Sequence, residues 1–308
     1  MGVTFDLCLE ALHKFYAKAE DLDALYLTLC VLHGVLSLTA ILGNVLIIFA
    51  LQKASSIPST SRRLMQGLAL TDLSVGVLGH PLYVAVITGI RQSYDCENIH
   101  EILMAFFILT SSLSSISFQM VTLIGVDRFL AITLHLRYNE LVTPNRVVIA
   151  VAAACIVTLT AVFTGVFYYF QVGKIIMLVF GYGCMLLLSI VYTKVYFVAR
   201  RHQASINSQA QVANHLSNIT NLARNSNLAI KTLYVFVVFE VCYLPYLITF
   251  TVLLASGPIV VLQGTVQFTT SLLMLNSSLN PIVFGWKMKE IRQIVKNEFK
   301  TLFRCAES

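Results

Sequence analysis

The sequence predicts an all-α membrane protein, a bundle of seven transmembrane helices followed by an amphipathic eighth helix, and three observations carry the prediction. Of 308 residues, 57% are hydrophobic and 12% charged, more apolar side chain than one water-soluble globule of this length can hide. The apolar residues fall into long blocks nearly free of charge, and a helix needs roughly 20 of them to cross the hydrocarbon core. Lys and Arg are also unequally shared between the segments joining the blocks, as cations retained on the cytoplasmic side require.

Residues 1–24 read as an extracellular N-terminus. The stretch is acidic, with Asp6, Glu10, Glu20, Asp21 and Asp23, and lacks the basic start and apolar core of a signal peptide, so the first span is expected to act as its own insertion signal. The bundle occupies residues 25–286. Block 25–52 has no charge, 64–90 has only Asp72, and 102–126 has none. Blocks 147–173 and 175–193 follow, with a tight outer connector expected at Gln171, Gly173 and Lys174. The long block from residue 232 contains only Glu240 and is split by Ser256, Gly257 and Pro258 into 232–255 and 259–285. Residues 200–231, rich in Asn, Gln and Ser, read as helix extensions around a flexible loop that offers a partner-binding surface. Residues 287–308 form the amphipathic helix and cytoplasmic tail, with basic residues interleaved with Met288, Ile291, Ile294, Val295 and Phe299, a pattern suited to the inner leaflet.

With the N-terminus outside, the outer segments hold only Lys14, Lys18, Arg91 and Lys174 of the 21 Lys and Arg residues. A multi-pass protein of the plasma membrane is expected. Its net charge of +6 lies on the cytoplasmic face and points to membrane lipids and protein partners, not to nucleic acid. Cys30, Cys155, Cys184 and Cys242 lie in spans, where a thiol packs as a small apolar group. Cys8 and Cys96 fall outside, where a disulfide between them is permitted. For Cys305, in the basic tail, acylation and a free thiol are both open.

Polar groups at membrane depth each need a partner. They are Asn44, Asp72, Ser117, Glu240, Asn276 and Asn280. Asn276 and Asn280, four apart, share one helix face. With Asp72 they suggest either a bound cation or hydrogen-bonding between helices. Asp127-Arg128-Phe129 sits at the inner end of the third span. Pro245, within Cys242-Tyr243-Leu244-Pro245, frees the carbonyl of Val241 and predicts a kink; Pro281, within Asn280-Pro281-Ile282-Val283-Phe284, repeats the device.

In this order, Gly43-Asn44-Val45, Leu68-Ala69-Leu70-Thr71-Asp72, Asp127-Arg128-Phe129, Cys242-Tyr243-Leu244-Pro245 and Asn280-Pro281-Ile282-Val283-Phe284 resemble the helix signatures of the rhodopsin-like G-protein-coupled receptors. The resemblance runs over nearly all of 25–303. It implies that Arg128 is restrained by Asp127 at rest and contacts a heterotrimeric G protein when the sixth helix swings outward, with arrestin as a second inner partner. It implies switch roles for Phe129, Tyr243, Pro245, Asn280, Pro281 and Phe284. It also implies an allosteric sodium ion at Asp72, Ser117, Asn276 and Asn280, in keeping with the oxygen ligands a hard cation takes; no other cofactor is expected. Departures stand beside these matches: Tyr243 replaces a tryptophan and Phe284 and Phe129 replace tyrosines, the Phe284 change removing a hydroxyl that in the family helps hold the active state, while Asn225 replaces an acid that would latch Arg128, which suggests raised basal activity.

Leu103 stands where most members carry a disulfide cysteine, Cys155 replaces the fourth-helix tryptophan and Cys184 the fifth-helix proline. In these respects the chain is most similar to the melanocortin, adenosine, cannabinoid and lysophospholipid receptors. Thr110 and Met274 occupy the places of an amine-binding aspartate and a retinal-binding lysine, and Leu82, Leu103 and Phe107 those of the melanocortin calcium cluster. The outer pocket is expected from Tyr83, Thr110, Ser111, Tyr246, Phe250 and Gln267, suited to a lipid or small neutral molecule. His80 reads either as a hydrogen-bonded neutral histidine or as a pH-sensitive pocket residue. Glu240 is expected to bond to a neighbouring helix. A seven-helix transporter and a receptor-like protein that does not signal are the alternatives; the internal repeats of a transporter are not seen. Nor is any metal-ligand spacing, nucleophile elbow or phosphate loop, so no enzyme is expected.

Overall fold

The computed structural model describes residues 23–92, 96–134, 137–167, 170–209, 216–256 and 260–306. Among these, the secondary structure is helical. The helices are α1 (Asp23–Lys53), α2 (Ser59–Ser74), a π-helical segment (Val75–Gly79), α3 (His80–Arg91), α4 (Cys96–Thr133), the single turn α5 (Tyr138–Leu141), α6 (Pro144–Phe167), α7 (Phe170–Gln209), α8 (Leu216–Ser256), α9 (Val260–Lys287) and α10 (Lys289–Ala306). Cys8 lies outside the described residues, as do the side chains of Cys96, Asn225, Phe299 and Cys305.

α2, the π segment and α3 make the second span, so α1, α4, α6, α7, α8 and α9 supply the others. The spans close into a ring in which α1 meets α2, α6 meets α7, α7 meets α8, α8 meets α9 and α9 returns to α1. α4 runs through the middle and touches α2, α6, α7 and α8. Large apolar side chains such as Leu42, Ile149, Val157, Val179, Leu186 and Ile282 lie on outward faces. Hydrocarbon accounts for them, since a helix satisfies its own backbone and needs no water on such a face.

Among the described residues, six helices are long and apolar enough to cross a membrane by length and composition alone. α9 is not among them, because its buried face carries Gln267, Thr269, Thr270, Ser271, Asn276, Ser277, Ser278 and Asn280. The connector expected at Gln171, Gly173 and Lys174 is displaced: α7 has already begun at Phe170. A glycine at a helix start costs little, because the first turn has few backbone bonds to lose.

The fold also explains Gly43. A β-carbon there would sit 2.9 Å from Cβ and Cγ of Pro281, so the absent side chain lets α1 lie against the proline of α9. Asn44, one residue on, donates to the carbonyls of Ala40 at 2.8 Å and Ser277 at 3.0 Å, which bonds the same two helices. Pro245 and Pro281 both lie inside continuous helices.

α10 packs on α1 with Met288 and Ile291 buried, Ile294 partly so, and Lys289, Arg292, Lys296 and Lys300 exposed. Glu290 anchors it, accepting from the backbone amides of Ser55 at 2.8 Å and Ser56 at 3.0 Å and from both hydroxyls. Partial burial alone would raise this carboxyl, but the serine donors outweigh it and hold Glu290 below its ordinary 4.5.

Two outcomes follow. Gly43→Ala forces the Pro281 ring away and lowers the thermal unfolding midpoint of the purified chain, by an overpacking cost of about 1–3 kcal/mol. Because the depressed carboxyl stabilises its contacts only while ionised, they are present above the ordinary glutamate range and lost as pH falls through it and below. Amide exchange at Ser55 and Ser56, corrected for its intrinsic pH dependence, accelerates on that acidification, and Glu290→Gln shows the faster exchange at neutral pH.

Candidate functional site

The bundle holds four polar or open regions along its length. At the inner end of α4, Arg128 is buried and pairs with Asp127, Nη2 and Nε lying 2.6 and 3.0 Å from Oδ2. Ser61 of α2 donates to the same Oδ2 at 2.6 Å and contacts Arg128 Nη2. The Tyr138 hydroxyl of α5 donates to Asp127 Oδ1 and lies 2.6 Å from Thr60 Oγ1. Burial, reinforced by the charge of Asp127, pushes the Tyr138 phenol up to about 12, so it stays a donor. Asp127 therefore satisfies both oxygens while holding the arginine, and Nη1 of Arg128 alone lacks a protein partner. The expected Asp127–Arg128 pair is present; Ser61, Thr60 and Tyr138 were not anticipated, because nothing local marks them and only folding brings α2 and α5 to α4.

Beside this latch lies a separate apolar plug of Ile132, Val195, Ala199 and Ala229, with Phe129 against it. The switch-motif Phe129 thus packs between α4, α7 and α8. Phe284 is buried in the main core, and its carbonyl accepts the Met288 amide at 2.9 Å.

Midway along the bundle, Asp72 is fully buried and accepts from Asn280 Nδ2 at 2.7 Å and from Ser277. Asn276 and Ser117 are buried as well. Asp72 Oδ1, Asn276 Oδ1, Asn280 Oδ1 and Asn44 Oδ1 are buried oxygens with no protein donor. Such a set is an all-oxygen surface of the kind a hard cation takes. A small void of about 10 Å³, bordered by Ser114, Ser117, Ser277 and Tyr243, lies next to it.

Above that void is the main cavity, about 140 Å³. α4 contributes Phe106, Phe107, Thr110, Ser111, Ser114, Ser115 and Phe118; α7 contributes Leu178, Phe180 and Cys184. Tyr243, Tyr246, Leu247 and Phe250 come from α8, and Thr270 and Leu273 from α9. Tyr243 forms the floor: it stacks on Phe239 at 3.8 Å between centroids, meets Phe118 edge-on at 6.0 Å, and bonds Ser114. Of the residues expected at the outer pocket, Thr110, Ser111, Tyr246 and Phe250 line this cavity. The repeat of hydroxyls at 110, 111, 114 and 115, adjacent positions on a helix, was the signal that would have added Ser114 and Ser115.

Tyr83 and Gln267 do not line it. They spend their polar atoms on each other, the Tyr83 hydroxyl donating to Gln267 Oε1, within an outer relay joining α1, α3 and α9. Ser271 Oγ donates to the Gln267 carbonyl at 2.8 Å, so its oxygen accepts from His33 Nε2 at 3.0 Å. His33 Nδ1 lies 2.9 Å from His80 Nδ1, one nitrogen donating and the other accepting. The structure thus matches the hydrogen-bonded reading of His80 and places it outside the cavity. Glu240 meets Ser189 of α7.

The family model described as the 7 transmembrane receptor (rhodopsin family) matches residues 43–174 and 169–284. The adenosine receptor A3 of Ovis aries is 25% identical, with 92% of this chain and 92% of that receptor aligned. The histamine H2 receptor of Rattus norvegicus is 26% identical over 92% of this chain and 82% of its own length. A shorter match, 39% identical over 36% of the chain and 26% of the relative, is to the adenosine receptor A2a of Cavia porcellus. The family match spans the motifs that place Asn44, Asp72, Arg128, Pro245 and Pro281 inside the bundle, and the chain belongs to the rhodopsin family of seven-transmembrane, G-protein-coupled receptors.

Proposed function

We propose that this receptor sits in the plasma membrane with its N-terminus outside, binds a lipid or small neutral ligand in the cavity between α4, α7, α8 and α9, and activates a heterotrimeric G protein through Arg128. The observation that supports this most is the buried Arg128–Asp127 pair with its Ser61 and Tyr138 contacts. A buried guanidinium is costly unless paired, so once the pair opens, Arg128 needs a new acceptor, which an inserted partner segment supplies. Arrestin would compete for the same inner opening. Of the ligand chemistries in the relatives' names, a small amine such as histamine would carry its ammonium into a cavity lined by no carboxylate, so the uncharged chemistry fits better.

The second half of the reading is a sodium ion held by Asp72, Ser117, Asn276 and Asn280. It is supported by the buried oxygens that lack protein donors. A cation there would neutralise Asp72 and brace the middle of the bundle, and its binding energy would add to the stability of the state that holds it.

In cells expressing the chain, second-messenger output over empty cells, measured with and without a broad ligand panel, is expected to fall to background in Arg128→Ala at equal surface expression. Equal output from the two chains under every condition would remove the signalling reading. Output without ligand in the same assay measures the basal activity suggested by Asn225. For the ion, the midpoint of purified protein should rise with sodium chloride over choline chloride, by about 2.7 kcal/mol when sodium reaches a hundredfold of its dissociation constant. Asp72→Asn should abolish the difference; if the variant responds as the parent does, the ion is not there.

A further inference from the structure

The main cavity narrows the ligand class further. Among the described residues, no Asp, Glu, Lys, Arg or His side chain borders it. An ion entering would give up its hydration with no counter-charge to replace it. Its volume of about 140 Å³ is close to the ~150 Å³ of an apolar cavity that holds a single benzene ring, room for one compact ring system.

The lining mixes two chemistries. One is aromatic, with rings from α4, α7 and α8, among them Phe107, Phe118, Phe180, Tyr246 and Phe250. Tyr246 and Phe250 lie nearly parallel, 8° between planes and 6.0 Å between centroids, whereas Phe118 stands at 83° to Tyr243. Parallel and perpendicular faces in one cavity suit a flat ring, which can stack on some and present its edge to others. The other is the hydroxyl row of α4, at Thr110, Ser111, Ser114 and Ser115. Ser114 is engaged by Tyr243, but the buried Thr110 Oγ1 has no protein partner. A buried hydroxyl left unbonded is unfavourable, and an acyl chain would leave it so.

From this juxtaposition we infer that the cavity binds a compact, uncharged aromatic molecule carrying a hydrogen-bonding substituent, its ring among the aromatic side chains and its substituent on Thr110. The inference rests on the receptor reading for its physiological meaning. Its test does not, because binding to the purified chain requires no G protein.

The full chain in lipid nanodiscs is titrated with 2-naphthol and 5-hydroxyindole as uncharged probes, with trimethylammonium-substituted counterparts of each, and with oleoyl ethanolamide as an acyl-chain probe. Thermal unfolding midpoints are read. At least one uncharged aromatic is expected to raise the midpoint saturably, while its charged counterpart does not. Thr110→Val, which exchanges the hydroxyl for a methyl at nearly constant shape, should weaken that probe about tenfold, or ~1.4 kcal/mol. Thr110→Ser should restore it, and the unliganded midpoints report whether each variant folds. Stabilisation by the charged or acyl probes alone, an unchanged affinity in Thr110→Val, or no shift with any uncharged aromatic overturns the inference. A chain that binds the probe but gives no Arg128-dependent signal in cells would instead remove the receptor reading and leave this one standing.

Discussion

A polar group inside hydrocarbon has no water to turn to, and this constraint organises the interior of the bundle. Asp72 finds Asn280, Asn44 finds the carbonyl of Ser277, His33 finds His80 and Ser271, and Arg128 finds Asp127. Most of these bonds link different helices. Lipid tails offer helices little hydrophobic reason to associate with one another, so the internal polar bonds, with close approaches such as Gly43 on Pro281, hold the register of the ring. The same constraint makes the groups that remain unpartnered informative, because each represents a cost that another molecule can relieve.

The helices were legible wherever the membrane itself sets their limits. Blocks at 25–52, 232–255 and 259–285, charge-free but for Glu240, correspond to Asp23–Lys53, the later part of Leu216–Ser256 and Val260–Lys287, since the residues that end an apolar run also mark where the helix meets water. Legibility failed where helices continue beyond that boundary. Cys96–Thr133 starts before its apolar block, and Phe170–Gln209 runs on well past residue 193, because backbone hydrogen bonding continues a helix in water as readily as in lipid. The π segment at Val75–Gly79 was also invisible, having no proline within it and no break in hydropathy.

For the site, residue type was readable and helix rotation was not. Asp72, Asn280 and Arg128 announce themselves because ionisable and amide groups at membrane depth are rare. Tyr83 and Gln267 are equally polar, yet across α3 and α9 they bond each other and do not line the cavity. The latch illustrates the same limit: Asp127 and Arg128 are neighbours in sequence, whereas Ser61 and Tyr138 reach them only through the packing of α2 and α5 against α4.

The substitutions relative to the family pattern acquire a common physical sense once α4 is seen as the axis. Phe118, Tyr243 and Phe239 form a compact aromatic group directly beneath the cavity. Tyr243 also carries a hydroxyl that bonds Ser114 on α4, a tie that a phenyl ring in its place could not make. Its ring therefore touches the cavity above, its hydroxyl holds α4 to α8, and the void beside it borders Ser117 and Ser277 near Asp72. At the inner end, Phe129 places an apolar ring against Ile132, Val195, Ala199 and Ala229, so α4, α7 and α8 meet there through dispersion and area burial. Apolar contacts of this kind are non-directional and soften gradually as helices part, whereas the Asp127–Arg128–Ser61 bonds depend on geometry and fail abruptly. The abrupt element thus ties α4 to α2, and the gradual one ties α4 to α7 and α8, two of the helices that also line the cavity.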